Sequence, residues 1–561
     1  MWIAGVSENG RDEAIHSLWE ASPTPMTFTT TSRCGSAEPL RGQRPLPQTF
    51  GAKPVNTPSR PPPSKIAVGR TVAIAVAFFA GLASVLPTVS TLAAPPTDAA
   101  INLDDYWIHD EQLWPTAFPE RSIDEATAQG NVGSQPPPDQ DNIPQHSGEL
   151  GLAGNPAAVN IVVGAGALGR LLGIDEESGL RLGGLWIGDA SAVLSGGAKP
   201  GHWGLNNLVI VDLSLDAEKR WGWEGASFGT QYLDYTGQPT NSLAGTVQGF
   251  DGLQASPPFN RSELYQLWWR QSWFDGKVIT RLGKSVPTFD FNNVLSAVPV
   301  GSDAYNIPAV TSLIYTPIFV NPTLYGRIPG YYDSATGLTV TVAPVDSIYA
   351  SYGVYDGSQA HGEHTGLLGP QFDGYYFHIG EVGCTWAQGV EQKPGKLGVG
   401  VWHQTGDLAL PSGGFDNGES GVYIFASQRL WFQHPGEDHN GVSGFVQLGA
   451  NDSEASWVRE FFGCGLTAFG LVPSRPNDSQ GVGMAWSFLN NDPNAGTFFF
   501  KDAPGNSTEL RSNELMLATY YQAALTKSAF LQPTLTYIPN PGARPDIPAA
   551  FASSIYLTVL F

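Results

Sequence analysis

The chain has 561 residues, of which only 14% are charged, and its formal net charge at pH 7 is −22. Nucleic-acid binding depends on neutralising phosphates with lysine and arginine, so this acidic balance excludes nucleic acid as the main partner. Few charges combined with 66 Gly, 16 Trp and 11% aromatic residues suit a transmembrane β-barrel, and they also suit a secreted all-β protein that binds carbohydrate.

Residues 1–94 are interpreted as an N-terminal extension followed by a secretory signal. The apolar run T-V-A-I-A-V-A-F-F-A-G-L-A-S-V-L at 71–86 follows basic residues and precedes small ones, which is the order of regions in a cleavable signal peptide. Cleavage is expected after Ala93, because a cut after Ala94 would leave Pro95 beside it. A signal anchor that stays in the membrane is the alternative.

Two further segments precede the main body. Residues 95–154 are rich in Pro, Asp and Gln, a composition that predicts a mobile periplasmic segment without a packed core. Residues 155–178 are expected to form a short periplasmic lead-in. They contain G-A-G-A-L-G at 164–169, which matches a dinucleotide-binding loop, but no series of βαβ units follows and the match is attributed to chance.

From residue 179 to 561 the chain is a succession of alternating segments separated by turn residues, which predicts antiparallel strands. In L-V-I-V-D-L-S-L-D at 208–216, one face is apolar and the other carries Asp212, Ser214 and Asp216. A soluble sandwich would bury the apolar face, whereas a membrane barrel would turn it to lipid and turn the polar face to water.

Asp275-Gly276 is a strong signal for a two-residue hairpin loop. If these residues form the loop, Trp273 faces Val278 and Arg270 lies directly opposite Arg281. Like charges directly opposed across two strands are destabilising, so the pair is expected either to have acidic neighbours or to serve a function. In a barrel both arginines would line the lumen, with Asp212 and Asp216 as candidate partners. The opposite, lipid-facing side of this strand is expected to comprise Tyr265, Leu267, Trp269 and Trp273.

No sequence pattern indicates catalysis, a metal or a cofactor. The run H-G-E-H at 361–364 matches no known zinc spacing and is interpreted as a loop. Cys384 and Cys464 are expected to be single buried thiols, although a pair between them stays open. Paired acids for glycoside hydrolysis are defined by geometry, which the sequence does not supply.

The last residues, A-A-F-A-S-S-I-Y-L-T-V-L-F, predict a strand that ends on an aromatic side chain. Ile555, Leu557, Val559 and Phe561 share one face with a period of two. Such an ending is typical of the closing strand of an outer-membrane barrel, and these four residues are the candidate barrel-closing signal.

Five segments of the chain, taken in order, resemble segments of one protein family. They are 180–229 with D-L-S-L-D and W-G-W-E-G-A-S-F, 260–284 with E-L-Y-Q-L-W-W-R-Q-S-W-F-D-G-K, 427–448 with S-Q-R-L-W-F, 465–485 with G-L-T-A-F-G-L-V-P-S-R-P-N-D, and 513–542 with L-Q-P-T-L-T-Y-I-P-N-P-G. With the Phe-terminated strand, they make the chain from about Gly164 onward similar to the carbohydrate-selective outer-membrane porins (OprB-type). The chain departs from the family at Ser554, near where an arginine is expected, and in its long acidic stretch before Gly164.

The resemblance implies a transmembrane antiparallel β-barrel of about 16 strands, narrowed by inward-folded constriction loops, through which sugars diffuse. It implies a location in the outer membrane, contact with outer-membrane lipid, and small sugars as permeating solutes. The barrel-assembly machinery would recognise the C-terminal strand. A homo-oligomer, such as a trimer, is also possible under this resemblance. No cofactor and no enzymatic activity are expected.

Two other functions stay open on the sequence alone. One is a secreted soluble β-protein that binds or hydrolyses polysaccharide, and the other is a barrel with a mainly structural or adhesive role. The terminal Phe561 and the lipid-like faces favour a porin over the soluble protein. No feature of the sequence separates a porin from a structural barrel.

Overall fold

The strands in the described part of this chain close into a single antiparallel barrel of 16 strands. The computed structural model describes residues 166–561 except for 175, 255–258, 288–289, 293, 295–320, 325–332, 346, 358–371, 373, 392, 436–439, 453, 502, 504 and 527. The predicted signal, the Pro-rich segment and the H-G-E-H run therefore lie outside the described residues, and the proposed boundaries at 94, 154 and 178 stay predictions.

Each strand pairs antiparallel with its neighbours in sequence, and β1 pairs with β16 to close the barrel. The strands are β1 Leu180–Ser195, β2 Trp203–Asp216, β3 Ala226–Thr236, β4 Asn260–Trp273, β5 Val278–Ser285, β6 Ala335–Val345, β7 Ile348–Asp356, β8 Tyr376–Gln388, β9 Lys393–Ala409, β10 Phe415–Phe432, β11 Gly441–Asn451, β12 Val458–Phe469, β13 Ser479–Leu489, β14 Asn513–Ala524, β15 Ala529–Ile538 and β16 Ala550–Leu560. The predicted count of about 16 strands is confirmed.

The two ends of the barrel differ in the length of their connections. Connections after odd-numbered strands leave at one end, the loop end, and include loop A (237–259), loop B (286–334), loop C (490–512) and loop D (539–549). Connections after even-numbered strands are shorter and leave at the other end, the turn end, where β1 begins and β16 finishes. Outer-membrane barrels place short turns in the periplasm and long loops outside the cell.

Alternation along each strand separates a lumen face from an outer face. In β2, Asp212 is 1% exposed whereas its neighbour Leu213 is 37% exposed. The sequence predicted these two faces, and the structure confirms their separation. The outer face is apolar and the inner face is largely polar, as a barrel in lipid requires.

Strand β4 departs from the predicted alternation at Tyr265. A β-bulge shifts the register with β3 between Gln231 and Tyr232, so that one additional residue of β4 enters the ladder. Tyr265 is therefore fully buried with Arg261 and Glu263, whereas Leu267 and Trp273 remain exposed on the outer face. The prediction that Tyr265 faces lipid is wrong, because period-two reasoning does not detect a bulge.

Three tryptophans on the outer wall donate their indole N–H groups to side chains of the neighbouring strand. Trp273 donates to Thr280 Oγ1 at 3.2 Å, Trp386 donates to Gln428 Oε1 at 2.8 Å, and Trp486 donates to Asn513 Oδ1 at 3.2 Å. An unpaired polar group in contact with hydrocarbon is costly. These hydrogen bonds therefore allow the three indoles to face hydrocarbon without an unpaired N–H group.

The final strand closes the barrel through its last residue. The backbone N–H and C=O of Phe561 bond Gly184 at 2.9 and 2.8 Å. A Cβ at Gly184 would lie 2.5 Å from the Phe561 ring, so only glycine permits this approach. Ile555, Leu557 and Val559 lie on the outer face of β16.

The helices are short. They are α1 Ala167–Leu171, α2 Ala217–Trp221, α3 Thr240–Ala244 and α4 Ala495–Phe499, with a 3₁₀ turn at Glu176–Ser178. Within the described ranges, no helix has the length and hydropathy needed to cross a membrane.

Candidate functional site: the barrel lumen

Arg270 and Arg281 are directly opposed on β4 and β5, and the predicted register is confirmed over the whole hairpin. Asp275 and Gly276 adopt positive φ angles of 56° and 79°, as a tight hairpin loop requires. Both arginines face the lumen and are 4% and 6% exposed, whereas the intervening Leu282 is 50% exposed on the outer wall.

One acidic partner of Arg281 comes from loop B. Its Nη1 lies 3.2 Å from Asp290 Oδ2 in loop B, and its guanidinium carbon lies 5.8 Å from the centroid of the Trp268 ring. This ion pair reduces the repulsion that the opposed arginines would otherwise generate. The sequence analysis missed Asp290, because its contact with β5 is created by the folding of loop B.

Asp212 and Asp216 occupy two different environments on β2. Asp212 faces the lumen and accepts a hydrogen bond from Gln231 Nε2 at 3.0 Å. Asp216 is the last residue of the strand and caps α2 by accepting from the Lys219 N–H at 3.0 Å, a stabilising interaction at a helix N-terminus. Their participation in a solute path stays a prediction.

A second ion-pair cluster lies at the loop end of the same wall. Arg261 Nη1 is 3.0 Å from Asp333 Oδ1, and Arg261 Nε is 3.5 Å from Glu263 Oε1. Asp333 is near the end of loop B and Asp290 is near its beginning. Two buried ion pairs therefore hold the two ends of loop B against β4 and β5.

Glu381 attaches loop B to β8, three strands along the wall from β5. The carboxylate of this β8 residue accepts from Tyr349 Oη at 2.6 Å, from Tyr423 Oη at 2.7 Å and from the Asn292 N–H at 2.7 Å. Glu381 faces the lumen and is 2% exposed. Loop B starts at β5 and returns to β6, so its contact with Glu381 requires it to fold into the lumen.

A further part of loop B packs against β11. Asn321 Nδ2 donates to the Leu448 carbonyl at 3.1 Å, and Asn451 Nδ2 donates to the Thr323 carbonyl at 3.4 Å. A Cβ at Gly449 would lie 2.2 Å from Asn321 Nδ2, so glycine is needed for this close approach. The described residues of loop B thus span the lumen from β5 to β11, as expected for a constriction loop.

Loop A also folds inward, and Glu514 of β14 holds it. The Glu514 carboxylate accepts from Thr246 Oγ1 at 2.6 Å and from the N–H groups of Val247 and Gln248 at 2.9 and 2.8 Å. It also accepts from the N–H of Gly542 in loop D. One buried carboxylate therefore joins two loops to the wall.

A second attachment of loop A is made through Asp251. Its carboxylate accepts from Asn206 Nδ2 at 2.7 Å and from the Leu253 N–H at 2.9 Å. Burial raises the pKa of Asp251 above its usual range, because the charged form loses water that these hydrogen bonds only partly replace.

Loops C and D are joined by Arg544. Its Nη1 donates to the carbonyls of Gly496 and Ala543 at 2.7 Å each, and its Nη2 donates to Phe500 at 2.8 Å. The Gly496 and Phe500 carbonyls belong to α4 and its carboxyl end, where cationic donors are favourable. The loop end is thus built from loops that are hydrogen-bonded to one another.

Within the part of the chain that the structure describes, no group of three or more His, Cys, Asp or Glu side chains could hold a metal ion. Cys384 and Cys464 are both free, as expected. They face outward on β8 and β12 and are half-buried, which is less burial than the sequence analysis expected.

Comparisons with known proteins agree with this geometry. The sequence model of a family described as "Carbohydrate-selective porin, OprB family" matches residues 209–561. Porin B of Pseudomonas aeruginosa is 22% identical over 417 residues, which are 67% of this chain and 86% of the relative.

A solved structure shows the same fold. The high-pH structure of Pseudomonas putida OprB aligns with a TM-score of 0.57 and 19% identity, covering 71% of this chain and 96% of that one. The family match covers more than half of the chain and includes β3 to β16 in full. This chain therefore belongs to the OprB family of carbohydrate-selective porins.

Proposed function

We propose that this barrel admits sugars by diffusion along a path lined by Arg270 and Arg281, with Asp212 and Asp216 toward the turn end. Family membership makes the chain an integral outer-membrane porin for sugars. The observation that supports this particular path is the attachment of loop B beside Arg281 and on Glu381, which narrows the lumen next to the two arginines.

The chemistry of this wall suits a neutral, hydroxylated solute. Guanidinium and carboxylate groups hydrogen-bond hydroxyls, and an aromatic ring such as Trp268, beside Arg281, offers a surface for the C–H face of a sugar. Conduction requires such contacts to be weak, because a tightly bound sugar would block the channel. Nothing in this arrangement requires a cofactor.

Single-channel recording in a planar bilayer tests the proposed function. The purified protein is expected to form open channels whose ion current is interrupted by added mono- and oligosaccharides. A barrel with a mainly structural or adhesive role would show no sugar-dependent block. The soluble alternative does not fit a closed barrel with an apolar outer wall.

The arginine pair provides a specific prediction. Replacing Arg270→Gln and Arg281→Gln removes two cationic donors while retaining similar volume, so sugar block should weaken and ion preference should shift toward cations. The readouts are the sugar-induced closing rate and the reversal potential in a salt gradient.

A matched control is Lys284→Gln. Lys284 lies on β5, as Arg281 does, but its side chain starts on the outer face and its Nζ donates to the Leu264 carbonyl. This variant should retain the sugar block of the parent. If the double variant also matches the parent, the arginines lie off the solute path.

The C-terminal strand carries a second proposal. Ile555, Leu557 and Val559 lie on the outer face of β16, and Phe561 follows its last residue; a barrel-assembly partner would recognise this segment before closure. We also expect a homo-trimer, and light scattering of the protein in detergent would measure its oligomeric state.

A further inference from the structure

Two buried carboxyl groups meet where loop A contacts the wall. Asp189 belongs to the lumen face of β1 and Asp251 to loop A, and they are 4% and 1% exposed. Both contact Asn206 of β2. The Asn206 N–H donates to Asp189 Oδ1 at 3.0 Å, and Asn206 Nδ2 donates to Asp251 Oδ2 at 2.7 Å. One residue therefore joins the carboxyl group of the wall to that of the loop.

The Asp251 carboxyl group accepts hydrogen bonds at both of its oxygens. Besides the Asn206 bond, Oδ2 accepts from Thr240 Oγ1 at 2.5 Å. Oδ1 accepts from the Leu253 N–H at 2.9 Å and from Tyr556 Oη at 3.4 Å. Asp251 thus connects loop A to two strands of the wall, β2 through Asn206 and β16 through Tyr556.

The Asp189 carboxyl group has a place for a proton. Its Oδ2 lies 2.5 Å from Ser191 Oγ, which in turn lies 2.7 Å from Ser554 Oγ. A hydroxyl group can donate one hydrogen bond and accept others. A proton on Asp189 Oδ2 can therefore be donated to Ser191, whose own hydroxyl then donates to Ser554.

No cation neutralises this pair within the described part of the chain, where every bond to the two carboxyl groups comes from a neutral donor. Tyr235 of β3, which donates to the same asparagine at 2.9 Å, is a neutral phenol. Lys199 and His202 on the β1–β2 connection are exposed to solvent. Arg181 and Asp212, on the lumen faces of β1 and β2, lie at least six residues away toward the turn end.

Full ionisation of such a pair is costly. Two carboxylates that are buried together without a cation strongly disfavour being charged at the same time. They hold one proton between them, and this proton belongs to the pair rather than to either residue. Ser554 stands near the position at which the family resemblance predicts an arginine, so this chain has a hydroxyl group beside the pair instead of a guanidinium.

We propose that Asp189 and Asp251 form a proton-binding pair that fastens loop A to the wall while it holds one proton, and that releases this part of loop A when the proton is lost. Loss of the proton leaves two negative charges side by side and away from water. Asp189 is fixed in a strand, whereas Asp251 lies in a loop and can move into water. Proton binding at this pair does not depend on which solute passes through the barrel.

The direction of the pH dependence follows from burial. Burial raises the pKa of Asp251, and a second carboxyl group beside it acts in the same direction. In the released loop the carboxyl group returns to water, where the pKa of aspartate is about 4. The docked state therefore binds more protons. Docking is strongest below about pH 4 and weakens by at most about tenfold per pH unit, until the docked pair has lost its proton.

A second attachment keeps the rest of loop A in place. Glu514, the other titratable group that holds this loop, accepts from Thr246 Oγ1 and from the next two backbone N–H groups. The released segment is therefore the part around Phe250 and Asp251. Phe250 is 0% exposed in the docked loop, so release exposes a cleavage site for chymotrypsin.

Limited proteolysis of the purified protein in detergent tests the proposal. Chymotrypsin is added at pH 5.5 and at pH 8, and mass spectrometry measures cleavage after Phe250. Each variant is compared with the parent at the same pH, because the rate of the protease itself changes with pH. Asp189→Asn retains the shape of the protonated carboxyl group and cannot ionise. At pH 8 it should be cleaved on the order of tenfold more slowly than the parent, and at pH 5.5 the two rates should converge.

Two further variants complete the experiment. Asp234→Asn, an acid-to-amide change on the outer face of β3, is the matched control and should follow the parent at both pH values. Ser554→Arg supplies a cation beside the pair and should protect loop A at pH 8, as Asp189→Asn does. The compact, unboiled gel form verifies that each barrel is folded.

Equal cleavage of the parent and Asp189→Asn at pH 8 would overturn the proposal, as would equal protection by Asp234→Asn. This readout requires no solute. A barrel that releases loop A with pH but shows no sugar block would support the proton-binding pair and reject the sugar-channel path, so the two failures are distinguishable.

Discussion

Single buried residues determine how closely the loops approach the wall. Glu381 and Glu514 each accept three or more hydrogen bonds from groups on other elements. A buried carboxylate is tolerated when its oxygens are this fully bonded. These residues therefore position loops A and B, and removing their charge affects the lumen without changing the strands.

Gly449 provides a prediction at this scale. Replacing Gly449→Ala places a methyl group 2.2 Å from the present position of Asn321 Nδ2, so the Asn321 side chain must shift and its contact with β11 is weakened. Overpacking of this kind costs about 1–3 kcal/mol. The expected result is a changed single-channel conductance and a lower temperature for the loss of the compact, unboiled gel form.

Gly380→Ala is the matched control for this variant. A Cβ at Gly380 would find its nearest neighbour at 3.9 Å, the Ser351 carbonyl, on the outer face of β8. Parent-like conductance and heat resistance are expected. Equal behaviour of the two variants would show that loop B does not depend on the close approach at Gly449.

Two kinds of element decide the properties of the channel. The strands provide a wall whose alternation is set by the backbone, and the long connections determine how much of the lumen stays open. Loop B is held at its ends by Arg281–Asp290 and Arg261–Asp333 and between them by Glu381 of β8.

Releasing loop B at its central attachment should widen the lumen. Glu381→Gln retains one acceptor oxygen but loses the charge and the second acceptor, which weakens the bonds to Tyr349, Tyr423 and Asn292 by about 1–3 kcal/mol in total. Single-channel conductance and current noise should increase, and each sugar-induced blocking event should last a shorter time. The control Ser351→Ala, a lumen-facing change on β7, is expected to leave all three quantities unchanged. If Glu381→Gln also leaves conductance, noise and block duration unchanged, Glu381 does not hold loop B in the lumen.

The closing strand carries a prediction of its own. Phe561→Ala removes the ring that covers Gly184 at the seam between β1 and β16. Less folded barrel should reach the membrane fraction, as measured by the proportion of heat-modifiable protein. Tyr537→Ala removes an outer-wall aromatic from the neighbouring β15 and should have a smaller effect. A larger loss with Tyr537→Ala would assign the main role to the aromatic outer wall instead of the terminal residue.

The described strands form a closed sheet without free edges, and this closure governs the stability of the barrel. Every strand has two hydrogen-bonded neighbours, so local unfolding must break the ladder on both sides. Loops A, B, C and D add contacts inside and across the loop end. Resistance to denaturation should therefore be a property of the entire barrel.

This closure predicts the behaviour of the intact protein. The mature chain should fractionate with outer membranes and migrate faster on gels before boiling than after it, because the closed barrel resists detergent. Carbonate washing should not release it. Recovery in the soluble periplasmic fraction, with no difference between boiled and unboiled samples, would contradict the membrane assignment.

Much of the barrel wall could be predicted from the sequence, because strand alternation and hairpin turns are local signals. The faces of β2, the register of the 263–284 hairpin and the closing strand all follow from a period of two and from the turn residues Asp275 and Gly276. The resemblance over five ordered segments then favoured an outer-membrane barrel of the porin family over a soluble β-protein.

Only the tertiary structure decided which loops enter the lumen and what holds them. The ion pairs of Arg281 with Asp290 and of Arg261 with Asp333, and the bonds of Glu381 and Glu514, join positions far apart in the chain. No local periodicity encodes such contacts. The bulge that buries Tyr265 likewise depends on how neighbouring strands are aligned, because alternation assigns a residue to a face but not to a height in the barrel.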